Sequence, residues 1–269
     1  MIAHPRVLVL RIGTFLLGLA SLVFSGCNSS RDPNTLVVGM ELSYPPFEMT
    51  DEHNVPVGVS VEIAKALAAD LGKELKIENI PFAGLIPALR TNKIDLVISS
   101  MTRTVERAQS IDFSAPYLTT GLCLLVSKET SISTIADLDK AGIRIAVKQG
   151  TTGHIYATNH IRNARVLPFE KETAATLEVS QGKADAFIYD QMSTYMNWKK
   201  HPETTRPLLT PFTQESWAIG LKKGNDELRS EINQFLKNYK ADGGFERLGD
   251  QFLSEQKHAF GKLGFPFFF

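Results

Sequence analysis

The chain has 269 residues and a formal net charge of zero, with 29 Lys and Arg residues against 29 Asp and Glu residues. This balance argues against a nucleic-acid partner, because proteins that bind nucleic acid normally present a strongly basic face. The chain exceeds the commonest single-domain size, so it can bury two modest hydrophobic cores.

Residues 1–26 have the character of a secretory signal peptide. They contain Arg6 and Arg11 but no acidic residue, and an apolar run over residues 12–24 that is too short to cross a bilayer comfortably. The following Phe-Ser-Gly-Cys resembles a bacterial lipoprotein signal, in which the cysteine is lipidated. We therefore predict export, acylation of Cys27 and a polar tether over residues 27–35 at a membrane surface. The alternative is an ordinary cleaved signal with an incidental cysteine.

The second cysteine, Cys123, lies in the apolar run Leu-Cys-Leu-Leu-Val. With Cys27 lipidated it has no intrachain partner, so disulfides do not hold the fold together. No charged residue close by in the sequence would stabilise a thiolate. We predict that Cys123 is a small buried hydrophobe and not a nucleophile.

From residue 36 onward, apolar strands alternate with helices. Strands are predicted at 36–40, 75–80, 94–100, 143–149, 184–190 and 216–223, with an extended segment at 110–128. Helices are predicted at 61–71, 85–92, 134–142, 173–181 and 227–240, and the Gly-Thr-Thr-Gly at 150–153 opens another. Strands separated by helices predict parallel sheets with right-handed crossovers.

The segment MTRTVERAQSIDFSAPY, residues 101–117, places Thr102, Thr104 and Arg107 together at a predicted helix start. Backbone N–H groups and the helix dipole attract negative charge at such a start, and an arginine can hold a carboxylate with two parallel hydrogen bonds. We interpret the segment as a site for a small anion. The competing interpretation is a helix cap beside a solvated arginine.

Several motifs occur together in a fixed order and spacing: YPPFE, LIPAL, KIDLVISSMTRT, ER, IDFSAPY, DLDKAGIRIAVKQGTTG and KADAFIYD. With these motifs, residues 36–255 resemble the solute-binding proteins of bacterial polar amino-acid importers, which are periplasmic or lipid-anchored receptors of ABC transporters. The resemblance implies an α/β, type II periplasmic-binding-protein-like fold of two lobes, each a mostly parallel sheet flanked by helices.

The same resemblance implies the domain boundaries. The first lobe would comprise residues 36–118 and 213–255, and the second lobe residues 119–212. Two hinge strands would join them, near 117–120 and 213–217. Residues 256–269 form an aromatic C-terminal tail beyond the resemblance; it is expected to dock on the first lobe, contact the membrane or fray.

The resemblance also implies how a ligand is held between the lobes. Arg107 would bind the α-carboxylate of an amino acid, and Thr102 and the backbone N–H of Ser100 would complete the pocket, with Ser99 beside them. Asp190, from the other lobe, would receive the α-ammonium group. A zwitterion needs both charges to be met, so closure of the lobes would be coupled to occupancy.

Further positions match ligand contacts of the family. Thr151 and Thr152, at a helix start of the second lobe, would also reach the carboxylate, although simple capping of the helix is the alternative. Tyr44 and Phe82 would form aromatic walls around the stem of the ligand side chain; either residue is otherwise an ordinary core aromatic.

The far end of the ligand should meet Glu41 and Lys148, by their position in the family. Glu41 alone would suit the cation of arginine or lysine, whereas a second cation beside Lys148 would be repelled. An acid and a base together suit a carboxamide, which donates to one and accepts from the other. Glutamine is therefore the favoured ligand and arginine the second.

Two other function classes remain open. Cyclohexadienyl dehydratases resemble these receptors, and an enzyme of that kind would use Glu41 or Asp190 as its acid group. A sensor without transport is the other. The sequence has no phosphate-binding loop and no His or Cys cluster with metal spacing, so we expect no cofactor and no metal. The expected partners are a free L-amino acid, an ABC permease and the membrane, and the expected state is a monomer.

Overall fold

The computed structural model describes residues 1–2 and 32–266, and the residues from Pro33 onward form one compact unit. Cys27 and most of the predicted signal peptide lie outside the described residues, as do the last three phenylalanines. No helix in the described part has the length and apolar content needed to cross a membrane.

The first elements in the chain are β1 (Thr35–Met40), β2 (Ser43–Tyr44), β3 (Glu48–Thr50), β4 (Pro56–Val57), α1 (Val59–Asp70), β5 (Glu74–Asn79), α2 (Phe82–Arg90), β6 (Leu96–Val97), α3 (Val105–Ala108) and β7 (Asp112–Thr120). They are followed by β8 (Leu122–Ser127), a 3₁₀ turn (Ile135–Leu138), β9 (Arg144–Lys148), α4 (Thr152–His160), β10 (Arg165–Phe169), α5 (Glu172–Ser180), β11 (Ala186–Asp190), α6 (Gln191–Lys200) and β12 (Thr205–Leu208). The last are β13 (Glu215–Leu221), α7 (Asp226–Ala241), α8 (Gly244–Phe252) and α9 (Ser254–Lys262).

Two five-stranded sheets define two lobes. Lobe 1 contains the sheet β5-β1-β6-β13-β7, on which α1, α2 and α7 pack, and lobe 2 contains the sheet β10-β9-β11-β8-β12, on which α4, α5 and α6 pack. A small sheet β2-β3-β4 accompanies lobe 1. The α/β, two-lobe architecture expected from the sequence is therefore confirmed.

Each sheet is half parallel, whereas mostly parallel sheets were expected. Strands joined through helices pair in parallel, as the pattern predicts for β1 with β5 and β6 and for β9 with β11; β9 also pairs in parallel with β10, a strand that the sequence pattern does not indicate. The other pairings are antiparallel: β13 with β6 and β7, and β8 with β11 and β12. The difference arises because β7, β8 and β13 adjoin the segments that cross between lobes, and β12 was missed in the sequence.

Local boundaries differ from the predictions where the chain approaches the cleft. The predicted strand at 94–100 pairs only as Leu96–Val97 in β6, because the chain then turns and Ser100 adopts a positive φ of 48°. The predicted helix at 134–142 is a 3₁₀ turn, closed by a capping box between Thr134 and Asp137. The helix that contains Arg107 is only the four-residue α3, so its dipole contributes little to anion binding.

The two crossing segments touch where β7 passes into β8. A Cβ atom on Gly121 would lie 2.0 Å from the carbonyl oxygen of Thr213, so only glycine permits this approach. The backbone N–H of Leu122 donates to the Thr213 hydroxyl at 2.8 Å, and β7 pairs with β13 beside it. The lobes are thus joined through two adjacent strands.

Buried residues fill both faces of each sheet. One apolar cluster lies in lobe 1 around Leu85 and Leu89, and one in lobe 2 around Ile145 and Val147. A third cluster runs from lobe 1 into lobe 2. Cys123 is fully buried in lobe 2, as predicted, and burial raises the pKa of its thiol.

The C-terminal helix α9 packs on lobe 2, although α8 before it packs on lobe 1. The ring of Phe260 is fully buried, with its centroid 5.2 Å from that of Tyr195 in α6, and the amide of Gln256 lies 3.4 Å from the sulfur of Met196. Phe265 packs edge-on against Phe260 at 6.3 Å. The part of the aromatic tail that the structure describes is therefore packed against the protein.

This packing predicts the cost of truncating Phe260. We expect Phe260→Ala to lower the free energy of unfolding by about 3–5 kcal/mol, because a fully buried aromatic ring leaves a cavity when it is removed. Leu263→Ala, at a half-exposed position just after the same helix, should change it by about 0.5 kcal/mol or less. Urea unfolding monitored at equilibrium measures both, and a loss below about 1 kcal/mol for Phe260→Ala would show that α9 is not docked in solution.

Candidate functional site

Arg107 lies on the lobe 1 side of the cleft between the lobes. The Thr104 hydroxyl caps α3 by accepting from the backbone N–H of Arg107, and the side chain is 6% exposed. The guanidinium donates to the carbonyl of Thr102 at 2.6 Å and, across the cleft, to the carbonyl of Gly150 at 3.0 Å. Burial lowers the pKa of Arg107 to about 10, so it stays cationic at neutral pH. It is not a solvated arginine.

Asp190 lies on the opposite side, where β11 ends and α6 begins. Its Oδ1 atom accepts from the backbone N–H of Ser193 at 3.0 Å, which caps α6, and from the hydroxyl of Tyr44 in lobe 1 at 2.7 Å. Burial raises the pKa of Asp190 to about 7, against the effect of these two donors. A cationic partner would restore the charged form.

A narrow cavity of about 20 Å³ separates the two groups. It is lined by seven of the residues implied by the sequence, namely Phe82, Ser100, Thr102, Arg107, Thr151, Thr152 and Asp190. That volume has room for about one water molecule. A small molecule as large as an amino acid would therefore enter only when the lobes move apart.

Glu41 and Lys148 form a buried ion pair that also crosses the cleft. Lys148, at the end of β9, is 1% exposed, and its ammonium group contacts the carboxylate of Glu41 from lobe 1. The ammonium lies 5.8 Å from the centre of the Phe82 ring, and the guanidinium carbon of Arg107 lies 5.3 Å from it. The predicted acid and base are thus brought together near Phe82, a predicted aromatic wall, but neither of them is among the residues that line the small cavity.

Tyr44, the other predicted wall, belongs to an aromatic cluster. Its ring stacks on Phe47 with centroids 5.4 Å apart and meets Tyr189 and Trp217 edge-on at 6.0 and 6.1 Å. The hydroxyl bonded to Asp190 is its polar end. Tyr44 therefore fixes the position of Asp190 and is also part of the core that spans the lobes.

The hydroxyls of Ser99 and Ser100 both donate to the buried carboxyl of Glu48. Ser100 donates to Glu48 at 2.9 Å and Ser99 at 3.3 Å, and Ser60 adds a third donor at 2.6 Å. Ser99 also accepts from the backbone N–H of Glu41 at 3.0 Å. Ser100 alone of the two serines lines the cavity.

The two threonines of lobe 2 have different partners. Thr151 caps α4, because its hydroxyl accepts from the backbone N–H of His154 at 3.4 Å and donates to the carbonyl of Lys148 at 2.7 Å. Thr152 instead donates its hydroxyl to Glu215 at 3.0 Å, and Thr102 of lobe 1 donates to the same oxygen at 2.9 Å. Thr102, Thr151 and Thr152 therefore all line the cavity, and two of them, Thr102 and Thr152, are joined through Glu215, a residue that the sequence did not indicate.

Four further residues line the cavity without having been predicted: Leu122, Tyr189, Glu215 and Trp217. Leu122, Glu215 and Trp217 lie in or beside the crossing segments. A signal for two of them was present, because residues 213–217 were expected to form a hinge and a hinge strand must border the cleft. Tyr189 precedes Asp190 in an apolar strand, where nothing distinguishes it from core.

The described chain has clear relatives. Residues 36–255 match the model of the bacterial extracellular solute-binding proteins, family 3. The L-cystine-binding protein TcyJ of Escherichia coli K12 is 28% identical over 228 residues, covering 84% of this chain and 85% of the relative. The ABC transporter glutamine-binding protein GlnH of Bacillus subtilis 168 is 31% identical over 231 residues, covering 84% and 83%.

Solved structures of amino-acid-binding proteins are also similar to this chain over most of its length. An ancestral arginine-binding protein bound to glutamine is 33% identical, with a TM-score of 0.76 and coverage of 83% of this chain and 99% of that one. The ancestral amino acid-binding protein AncCDT-1, a precursor of cyclohexadienyl dehydratase, is 35% identical, with a TM-score of 0.75 and coverage of 81% and 95%.

The buried Glu48 predicts how stability depends on pH. Burial raises its pKa from 4.5 to about 8, so the folded protein keeps a proton that the unfolded chain releases. Stability should then fall as pH rises from about 4.5 through 8, with a slope of up to about 1.4 kcal/mol per pH unit from this group.

Urea unfolding of the protein and of Glu48→Gln at pH 5, 6, 7 and 8 isolates this contribution. The variant should lose less stability than the unaltered protein between pH 5 and pH 8. Because the pKa of Asp190 is also raised, stability still falls somewhat with rising pH in both proteins. Glu52→Gln, on an exposed turn, is the matched control and should follow the unaltered protein. Parallel curves for Glu48→Gln and the unaltered protein would contradict the assignment.

Proposed function

Because the chain belongs to the bacterial extracellular solute-binding proteins of family 3, we propose that it is an extracytoplasmic receptor that binds a free polar L-amino acid between its lobes and delivers it to an ABC importer. Family membership confirms the resemblance found in the sequence. The observation that supports the receptor role most directly is the placement of buried Arg107 and buried Asp190 on opposite lobes, lining one cavity.

Neither charge has a salt-bridge partner within residues 32–266. Arg107 donates only to backbone carbonyls, and Asp190 accepts only from neutral donors. Isolated buried charges are costly unless a partner is supplied. An α-carboxylate and an α-ammonium group on adjacent bonds would supply both partners at once, which is why a free amino acid fits this pair better than a simple anion or amine.

The Glu41–Lys148 pair supports glutamine as the ligand. A guanidinium or ammonium group would have to displace Lys148 from Glu41 and would be repelled by it at short range. A carboxamide can insert between them instead, donating to Glu41 and accepting from Lys148. Arginine is therefore the second choice. One relative is a glutamine-binding protein and one solved neighbour is an ancestral arginine-binding protein bound to glutamine, so both ligands occur among similar proteins and the order rests on the Glu41–Lys148 pair alone.

The same pair favours one further candidate, L-cystine. Its two ends are both zwitterionic, so a second carboxylate could face Lys148 and a second ammonium group could face Glu41. Both cations, Arg107 and Lys148, lie within 6 Å of the centre of the Phe82 ring, at 5.3 and 5.8 Å, and one relative is a cystine-binding protein. Binding of cystine in preference to glutamine would select this alternative.

A dehydratase activity is less well supported. The curated relatives reported above are binding proteins, and AncCDT-1 is itself described as an amino acid-binding precursor. Asp190 and Glu41, the two candidate acids, are engaged by Tyr44 and Lys148. Turnover of prephenate or arogenate would overturn this part of the proposal.

The proposed function has further parts: lipidation of Cys27, anchoring to the membrane, an ABC permease as partner and a monomeric state.

Arg107 provides the test of the receptor role. A bound amino acid at 100 times its Kd should stabilise the protein by about 2.7 kcal/mol and raise its Tm. Arg107→Ala should show no such rise, because the α-carboxylate loses its charged partner. Arg107→Lys keeps the charge but not the paired geometry, and should bind at least about tenfold more weakly.

Thermal shift and calorimetry on the three proteins measure these effects. Arg103→Ala removes an exposed arginine four residues earlier and is the matched control; it should bind like the unaltered protein. Tight amino-acid binding by folded Arg107→Ala would exclude the assigned carboxylate site.

Lys148 provides the test of ligand identity. A screen of the twenty L-amino acids and L-cystine should give the largest Tm rise with glutamine. Lys148→Ala should lower the affinity for glutamine by about tenfold, which corresponds to the loss of one hydrogen bond to a charged group. The affinity for arginine should stay the same or rise, because Glu41 is freed for the guanidinium. Lys140→Ala, at an exposed position in lobe 2, is the control. If glutamine does not bind at all, the carboxamide argument fails and the receptor role is judged on Arg107 alone.

A further inference from the structure

Glu215 is a carboxylate built into the hinge. It begins β13, pairs with Thr120 of β7 and lines the cavity beside Arg107. Its Oε2 atom accepts a hydrogen bond from Thr102 of lobe 1 at 2.9 Å and another from Thr152 of lobe 2 at 3.0 Å. One oxygen of a hinge residue therefore joins the two lobes.

The groups around Glu215 are those expected around a ligand carboxylate. Burial raises the pKa of Glu215, while the hydrogen bonds from Thr102 and Thr152 and the charge of Arg107 act in the opposite direction and favour the carboxylate. The sequence resemblance implies the same threonines and the same arginine for the α-carboxylate of an amino acid. The carboxylate of Glu215 thus occupies an anion environment that a ligand would need.

A hydroxyl group has a single hydrogen to donate. Thr102 and Thr152 therefore cannot donate their hydroxyls to Glu215 and to a ligand carboxylate at the same time. Two carboxylates close together in a partly buried site also repel each other. Ligand binding must release the bonds to Glu215 or proceed against this repulsion.

We infer that Glu215 is an internal competitor of the ligand α-carboxylate, and that it sets the affinity of the site by holding the hydroxyls of Thr102 and Thr152. This inference rests on the proposed amino-acid-binding function. Binding is then an exchange of one carboxylate for another, and the net affinity is smaller than the contacts of the ligand alone would give.

Glu215→Gln tests the competition without emptying the position. The glutamine oxygen still accepts from the threonines, but it is neutral and holds them less strongly, and its amide can donate to the ligand. We expect the variant to bind the cognate amino acid about tenfold more tightly, the size of one hydrogen bond to a charged group. Glu106→Gln removes an equal charge at an exposed position next to Arg107, and should stay within about twofold of the unaltered protein.

A second ligand separates competition from a general effect on closure. The α-carboxamide of the same amino acid lacks the carboxylate, so its affinity should not rise in Glu215→Gln. Calorimetry with both ligands on the three proteins therefore measures a gain confined to the carboxylate form. The inference is overturned if Glu215→Gln is folded and binds the amino acid no more tightly, or if both ligands gain equally.

The two proposals fail in different ways. If the unaltered protein binds an amino acid and Glu215→Gln shows no selective gain, only the competitor role is lost. If neither protein binds any of the twenty L-amino acids or L-cystine, the proposed function is lost and the competitor role with it. Binding by the variant alone supports both proposals, with Glu215 as a strong competitor.

Discussion

The central constraint of this molecule is that two opposite charges are withdrawn from water on separate lobes. Arg107 and Asp190 are each more than nine-tenths buried, yet in the described part of the chain their direct hydrogen bonds are all with neutral groups, although Glu215 lies near Arg107. Buried charges raise the free energy of the folded state unless dipoles or counter-ions replace the lost water. Backbone carbonyls serve Arg107, while a backbone amide and the Tyr44 hydroxyl serve Asp190. Two of these partners, Gly150 for Arg107 and Tyr44 for Asp190, come from the opposing lobe.

Much of the fold can be understood as support for this arrangement. The two sheets place Arg107 after one strand of lobe 1 and Asp190 at the end of a strand of lobe 2, and two adjacent strands hold the sheets together. At Gly121 and Thr213 the crossing segments are in such close contact that no side chain fits between them. Two adjacent connecting strands are the arrangement about which the lobes of a protein can rotate while each sheet stays intact.

Around the two charges lies a network of polar groups that are already satisfied within the protein. Glu41 pairs with Lys148, three serines donate to Glu48, and two threonines donate to Glu215. Because partners made in the protein must be given up when a ligand makes new ones, affinity in such a site is a difference between two sets of bonds. The groups that bind most strongly within the protein, Lys148 and Glu215 among them, are therefore the groups expected to govern selectivity.

Periodicity alone predicts most elements within a few residues. Helix α1 and strands β1, β9 and β11 lie close to their predicted positions, because strong apolar patterns leave little choice. Prediction fails where tertiary contacts override the pattern: residues 99–104 leave the sheet to reach the cleft, and β12, with Pro207 in its middle, has a weak pattern of its own. The C-terminal segment was ambiguous for the same reason, since only contact with Tyr195 decides where Phe260 packs.

Ordered motifs in the chain are enough to identify the family, and with it the two-lobe α/β fold and the chemical types present in the site, because the order and spacing of motifs are properties of the sequence. It could not determine which polar group bonds to which. The polar contacts of the site join residues that lie 63 to 146 positions apart in the chain. They are the contacts of Tyr44 with Asp190, of Lys148 with Glu41, and of Thr102 and Thr152 with Glu215. The spatial arrangement of the lobes decided these pairings, because a hydrogen bond depends on distances and directions that only the packed chain specifies.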